Sequence, residues 1–252
     1  VFSQDASGTR SEAMRIDSSQ NVLVGGQTTS VDVGNGTGNI QFGGGDATAF
    51  TALRYSSAAS GPFMMFGKTR SATVGTIGAV VSDGDDLGTI RFAGDDGTDI
   101  ASWAAVVRAE VDGTPGSNDM PGRLMFETTA DGASSSTERM RISQNGYVGI
   151  GTSGDPATNL HISSLYSTTL RLASTRNSNT WTPGESIGRI EMYSADGTAP
   201  GASVRASIDA VVENTAGNSI DLVFKSGQNA EAMRIDTSQR VLIGEDTSVS
   251  VD

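Results

Sequence analysis

Glu12-Ala-Met-Arg-Ile-Asp17 leading to Val22-Leu-Val-Gly25 is spelled again, with small changes, as Glu138-Arg-Met-Arg-Ile-Ser143 leading to Val148-Gly-Ile-Gly151, and as Glu231-Ala-Met-Arg-Ile-Asp236 leading to Val241-Leu-Ile-Gly244. A phrase repeated at this fidelity decides the architecture before any single residue does. Ile16 and Val22, Ile142 and Val148, and Ile235 and Val241 are each six positions apart, so the geometry between the two halves is fixed. Met and Ile alternate with Arg in the first half, and aliphatic residues alternate again in the second. A period of two marks half-buried strands, so each copy reads as a β-hairpin. The middle copy has Asn145-Gly146 at its turn, a pair that tolerates positive φ. The other two have Ser19-Gln20 and Ser238-Gln239 there and are expected to turn with a different local geometry.

Similarity extends beyond the hairpin. Gly88-Thr-Ile90-Arg-Phe92 followed by Asp96-Gly-Thr98 matches Gly188-Arg-Ile190-Glu-Met192 followed by Asp196-Gly-Thr198, one hundred residues later. Arg123-Leu-Met-Phe126 corresponds to Asp221-Leu-Val-Phe224, and Ala52-Leu-Arg-Tyr55 to Thr169-Leu-Arg-Leu172. The order predicts two nearly complete units, 34–151 and 152–252, preceded at 1–33 by the C-terminal part of a truncated unit. Met14 and Met140 are 126 positions apart, whereas Met140 and Met233 are 93 apart, so the units differ in their connections. Strands keep their length and surface loops vary. Val1-Phe-Ser3 resembles Val223-Phe-Lys225, and Val241 through Val249 resembles Val22 through Val31. Both ends are therefore expected to cut through a unit of a longer chain.

Composition is thin for a monomeric globule. The 252 residues are 36% hydrophobic and 6% aromatic with 32 glycines and a net charge of -12, and Leu, Ile, Val and Phe together make about a fifth of them. Such values border on disorder, which the strand alternation opposes. Several chains sharing one core would reconcile the two, because each then supplies only part of the buried surface. The expected fold is all-β, an elongated oligomer of tandem hairpin-containing units. No run approaches the length of a membrane span, no signal-like segment opens the chain, and no basic cluster offsets the acidic surface. Membrane insertion and nucleic-acid binding are not expected. There is no cysteine, hence no disulfide framework.

The Met-Arg-Ile hairpins, Val148-Gly-Ile-Gly-Thr152 followed by Pro156 and Leu160-His-Ile162, and the run Ala109-Glu-Val-Asp-Gly-Thr-Pro-Gly116 through Met120-Pro-Gly-Arg-Leu124 resemble the repeated shaft regions of bacteriophage tail fibres. That resemblance implies an intertwined homotrimer of parallel chains, located in the virion tail fibre, partnered by other tail or fibre proteins and presenting host-recognition elements. Met14, Ile16, Val22, Val24, Met140, Ile142, Val148, Ile150, Met233, Ile235, Val241 and Ile243 are then the expected trimer core. Arg15, Arg141 and Arg234, on the opposite side, would pair with carboxylates of neighbouring chains.

Candidate chemistry is weaker. Asp83-Gly-Asp85-Asp86 and Asp95-Asp96-Gly-Thr-Asp99 could gather calcium ligands, but they lack the spacing of a calcium loop and read more simply as Asp-Gly turns. No cofactor or metal is expected. Asp209 and Glu213 could serve a glycan depolymerase, yet their alternation with apolar neighbours is that of a strand's solvent face. His161 lacks a nucleophile elbow to serve and fits the polar side of a short strand; three copies facing an axis would be the alternative. Trp103 lies in an apolar run and is expected to be buried, whereas Trp181 is the candidate contact for a host cell-surface glycan. The chain is expected not to be an enzyme. An adhesin that itself binds glycan is the alternative to a shaft, with a depolymerase behind it. Any binding is expected on the longer connections, especially Ala58 to Ser82.

Overall fold

A computed structural model describes residues 2–5, 10–25, 29–32, 40–43, 50–152, 154–176, 180–196, 202–227 and 230–244. Among them are fifteen β-strands and no helix. Val1, Gly197-Thr198 and Val249, which enter the sequence matches, lie outside the described residues.

The chain divides into two compact units, Val1–Thr168 and Thr169–Asp252. In the first, β1 (Phe2–Asp5), β2 (Arg10–Ile16), β3 (Val22–Val24) and β4 (Ile40–Phe42) form one sheet in chain order. A second sheet holds β5 (Asp86–Ala93), β6 (Trp103–Val111), β7 (Gly122–Thr128), β8 (Thr137–Ile142), β9 (Val148–Ile150) and β10 (Leu160–Ile162), also in order. The second unit has a single sheet of β11 (Ser186–Ser194), β12 (Ser203–Val212), β13 (Ile220–Ser226), β14 (Ala230–Ile235) and β15 (Val241–Ile243). All neighbours are antiparallel except β3 with β4 and β9 with β10. In both exceptions the closing strand lies beyond the hairpin, so the first two sheets run across residues 33/34 and 151/152.

Each repeated phrase is a hairpin, β2–β3, β8–β9 and β14–β15, with Ile16, Ile142 and Ile235 facing Val22, Val148 and Val241. The three turns share one geometry, contrary to the expectation from sequence. Gln20 N–H bonds to the Asp17 carbonyl, Gly146 N–H to Ser143 and Gln239 N–H to Asp236, and the donor residue has φ of 67°, 75° and 63° in turn. Glycine tolerates that conformation at the middle turn. In the outer two, the Asp17 and Asp236 carboxylates accept two backbone N–H bonds each, from Ser19 and Asn21 and from Ser238 and Arg240, and hold the loop without glycine.

A bulge precedes each Met-Arg-Ile. Phe126 faces Met140 but Glu127 faces Glu138, so Arg139 is an extra residue; Ala13 and Ala232 are the extra residues in the other copies. In an unbroken strand, residues three apart point to opposite faces; the bulge reverses this and puts Glu138 beside Arg141. Further shifts recur at Asp86/Gly88 and Ser186/Gly188, and at Phe92/Ala93 and Met192/Tyr193.

Outside the strands, Phe66 packs on Gly88, where a Cβ would meet the Phe66 Cβ at 2.4 Å, and Leu172 lies over Gly188 in the same way. Four residues beyond each, Arg70 pairs with Asp85 at 2.6 Å and Arg176 with Glu185 at 2.6 Å. Phe66, rather than Tyr55, therefore stands where Leu172 does. The sequence match of Ala52–Tyr55 to Thr169–Leu172 rested on the shared Leu-Arg pair, while the packing contact is made by any bulky apolar residue at the right distance from the arginine.

Candidate functional site

One face of each sheet is a ladder of apolar side chains. Directly opposed residues of neighbouring strands share a face, and the registers give the rows Ile90, Val107, Phe126, Met140, Ile150, Ile162 and Gly88, Ala109, Leu124, Ile142, Val148, Leu160 in the second sheet. The second unit repeats them as Ile190, Ile208, Phe224, Met233, Ile243 and Gly188, Ala210, Leu222, Ile235, Val241. In the first sheet, Met14, Val24 and Phe42 form one row and Ile16, Val22 and Ile40 the other. All twelve residues expected at a trimer core lie on these faces.

None of the twelve is buried by its own chain. Ile16 is 63% exposed, Val241 57% and Ile243 73%. The others are half-buried, apart from the exposed Ile150. A pocket of about 230 Å³ opens on this face between Phe66, Gly88, Ile90, Val107, Ala109 and Leu124.

The opposite face is the one a single chain buries, and it is charged. Its apolar members Leu23, Val106, Met125 and Val223 are at most 4% exposed, covered by long side chains whose stems pack while their heads pair. Arg15, Arg141 and Arg234, expected to pair with carboxylates of neighbouring chains, each have a carboxylate partner within their own chain. The bulge supplies the carboxylate: Glu12 to Arg15, Glu138 to Arg141 at 2.6 Å and Glu231 to Arg234 at 2.6 Å. Arg141 also reaches Asp155 at 3.2 Å, and Arg234 reaches Asp221 at 2.7 Å. The Arg234 hydrogen bond holds Glu231 below the usual carboxylate range and raises Arg234 itself.

Arg123 joins Glu110 at 2.6 Å and Asp112 at 2.8 Å, while Asp112 also accepts the Gln144 N–H from the hairpin turn. On the next position of the ladder, Arg108 pairs with Glu127 at 2.7 Å. The second unit has Asp209 and Lys225 at those places, 2.9 Å apart, with Arg189 also 2.8 Å from Asp209. Asp209 is fully buried. Burial pushes its carboxyl up, but the Ser207 hydroxyl, Lys225 and Arg189 outweigh that and hold it below its ordinary value.

The remaining candidates are distributed as follows. Asp85 accepts the Ser82 N–H, Asp83 the Gly113 N–H, Asp95 the Gly97 N–H, Asp96 those of Thr98 and Asp99, and Asp99 that of Ala101. These carboxylates brace turns. Among the described residues no group of three His, Asp or Glu side chains converges as a metal site would require. Glu213 pairs with Arg234 at 3.2 Å, so both carboxylates considered for glycan hydrolysis face cations. His161 pairs in register with Gly149, on the charged side of its sheet and away from Ile150 and Ile162. The Arg91 guanidinium lies 3.6 Å from the centre of the half-buried Trp103 ring. Trp181 is half-buried too, with Arg176 at 4.2 Å over one face of its ring and its indole edge against Gly217. The connection 58–82 contains no strand, and Phe63, Met65, Val74 and Ile77 on it are exposed.

Sequence reading missed the bulges and the intrachain glutamate that each gives to the arginine. The signal was present: Glu and Arg stand three apart in every copy, which ordinary strand alternation would waste.

In structure the chain is similar to the carboxy-terminal domain of the bacteriophage T5 L-shaped tail fibre, at 12% identity and a TM-score of 0.40, covering 81% of this chain and 93% of that one. It is also similar to the same domain with its intra-molecular chaperone domain, at 14% identity and a TM-score of 0.40, covering 81% of this chain and 64% of that longer one. No protein-family model and no curated protein matches the chain.

Proposed function

We propose that this chain is a structural segment of a phage tail fibre, built of tandem units, in which three copies close their apolar faces on one another and hold host-recognition elements away from the virion. The observation that carries the reading is the apolar ladder repeated on all three sheets, which the described residues of its own chain cover only in part. The number three and the virion location follow the resemblance of the Met-Arg-Ile hairpins to fibre shafts. The proposed role is mechanical: trivalent presentation raises avidity without a strong single contact.

Sedimentation equilibrium over a hundredfold concentration range tests this. A trimer mass is expected throughout, and a stable monomer would overturn the reading. Direct contact with a host-surface glycan is a second reading, favoured by Tyr55 and Phe63 standing exposed on the connection before β5. Retention on a glycan array, lost on replacing both with serine, would support it.

A further inference from the structure

The two long meanders, β5–β9 and β11–β15, have nearly interchangeable apolar faces. Val107 against Phe126 becomes Ile208 against Phe224 in the same register. Apolar packing therefore cannot tell β6 from β12, or β7 from β13, whether the exchange occurs within one chain or between chains. A shifted sheet is an expected wrong structure wherever register is poorly specified.

The charged faces do tell them apart. We propose that the opposite polarity of the two meanders is a register lock, in which β6 rejects β13 and β12 rejects β7. In native pairing Arg108 meets Glu127, and Asp209 meets Lys225. Pairing β6 with β13 in the corresponding register brings Arg108 to Lys225 and sets Glu110 opposite Asp221, since Glu110 faces Arg123 and Val211 faces Asp221 natively. Pairing β12 with β7 brings Asp209 to Glu127. Every exchanged sheet thus brings like charges together and parts Arg108 from Glu127, Glu110 from Arg123 or Asp209 from Lys225, even though Asp209 keeps Arg189 and Asp221 keeps Arg234. Glu127, Asp209 and Asp221 are all buried, where an unpaired or like-paired charge is far more costly than at the surface. The lock acts on strand choice and does not depend on how many chains share the apolar faces.

Because the chain has no cysteine, paired cysteines report register without background. Ala105→Cys with Thr128→Cys reads the native pairing, as these residues face one another. Ala105→Cys with Ser226→Cys reads the exchanged one, because Ser226 follows Lys225 as Thr128 follows Glu127. Each reporter pair is refolded from denaturant and oxidised. The exchanged cross-link is expected to be rare in the parent and to rise about tenfold in Arg108→Asp/Glu127→Lys, where a buried repulsion becomes an attraction. Arg108 also approaches Glu110 at 3.4 Å, so the swap crowds acidic groups. Arg108→Met/Glu127→Met avoids that crowding, removes both the native attraction and the exchanged repulsions of these two residues while leaving Glu110 opposite Asp221, and is expected to give an intermediate rise. If the swap fails to fold, the neutral variant decides. An exchanged cross-link no more frequent than in the parent, in the swap and the neutral variant alike, or in the neutral variant alone where the swap does not fold, overturns the lock. Sedimentation reports chain number separately.

Discussion

Gly151 closes the middle hairpin with φ of 69°, and a Cβ there would come within 2.3 Å of the Ser163 carbonyl oxygen, just past the parallel strand β10. Gly244 occupies the equivalent place with φ of 70° and open space around it. The pair separates backbone conformation from close approach. Gly244→Ala is expected to cost about 1 kcal/mol, the left-handed penalty alone. Gly151→Ala is expected to cost about 3 kcal/mol or more, because the carbonyl of the neighbouring strand must also move. Equal shifts in the denaturant midpoint for the two would refute the close-approach argument. The same reasoning runs in reverse at the outer turns. Gln20→Gly and Gln239→Gly relieve positive φ and are expected to stabilise by about 0.5 kcal/mol each, after the entropy cost of glycine in the unfolded chain.

At the scale of strands, the charged faces behave as buried networks, and removing one member leaves the others without a counter-charge. Arg123 serves both Glu110 and Asp112, so Arg123→Met is expected to destabilise by about 3 kcal/mol, with partial recovery in Arg123→Met/Glu110→Met. Acid should act on these sheets in one direction. Asp17, Asp209, Glu231 and Asp236 all have folded values below their ordinary ones. Their contribution is therefore complete above the unfolded range near pH 4, and it is lost as pH falls through the lower folded values. The thermal midpoint should stay level from about pH 5 to 8 and drop below about pH 4; a fall between pH 6 and 8 would contradict the assignment. Much of this scale was legible in the sequence. The constant six-residue interval from Ile to Val announced each hairpin, and the alternation placed Met14, Met140 and Met233 on one face. The bulges were hidden because a bulge is a relation between two strands, and a sequence displays only one at a time. The shared turn geometry was hidden because Asp17 and Asp236 do by hydrogen bonding what Gly146 does by backbone freedom. The reversal of Arg108–Glu127 into Asp209–Lys225 needed the register before either pair could be seen.

For the whole molecule, the two faces of each sheet predict opposite responses to a charge. Val106 lies on the face that the chain buries for itself, so Val106→Asp places a carboxylate between Glu127 and Arg91 in a buried row and should destabilise the single chain at any concentration. Leu124 and Ile150 lie on the apolar ladder and are partly exposed in one chain. Leu124→Asp and Ile150→Asp should therefore leave the strand content of a single chain intact by circular dichroism while lowering the assembled mass, because the charge becomes buried only when copies meet. Tyr166→Asp, on an exposed connection, should change neither reading. Stability and assembly are linked when the core is shared, so the unfolding midpoint of the parent should rise with protein concentration, whereas that of the disassembled Leu124→Asp chain should not. Circular dichroism and sedimentation on the same samples give the decisive comparison. Loss of strand signal together with mass would mean that the strands do not persist in a single chain once its neighbours are gone; an unchanged mass would mean that the apolar faces meet something other than a second copy.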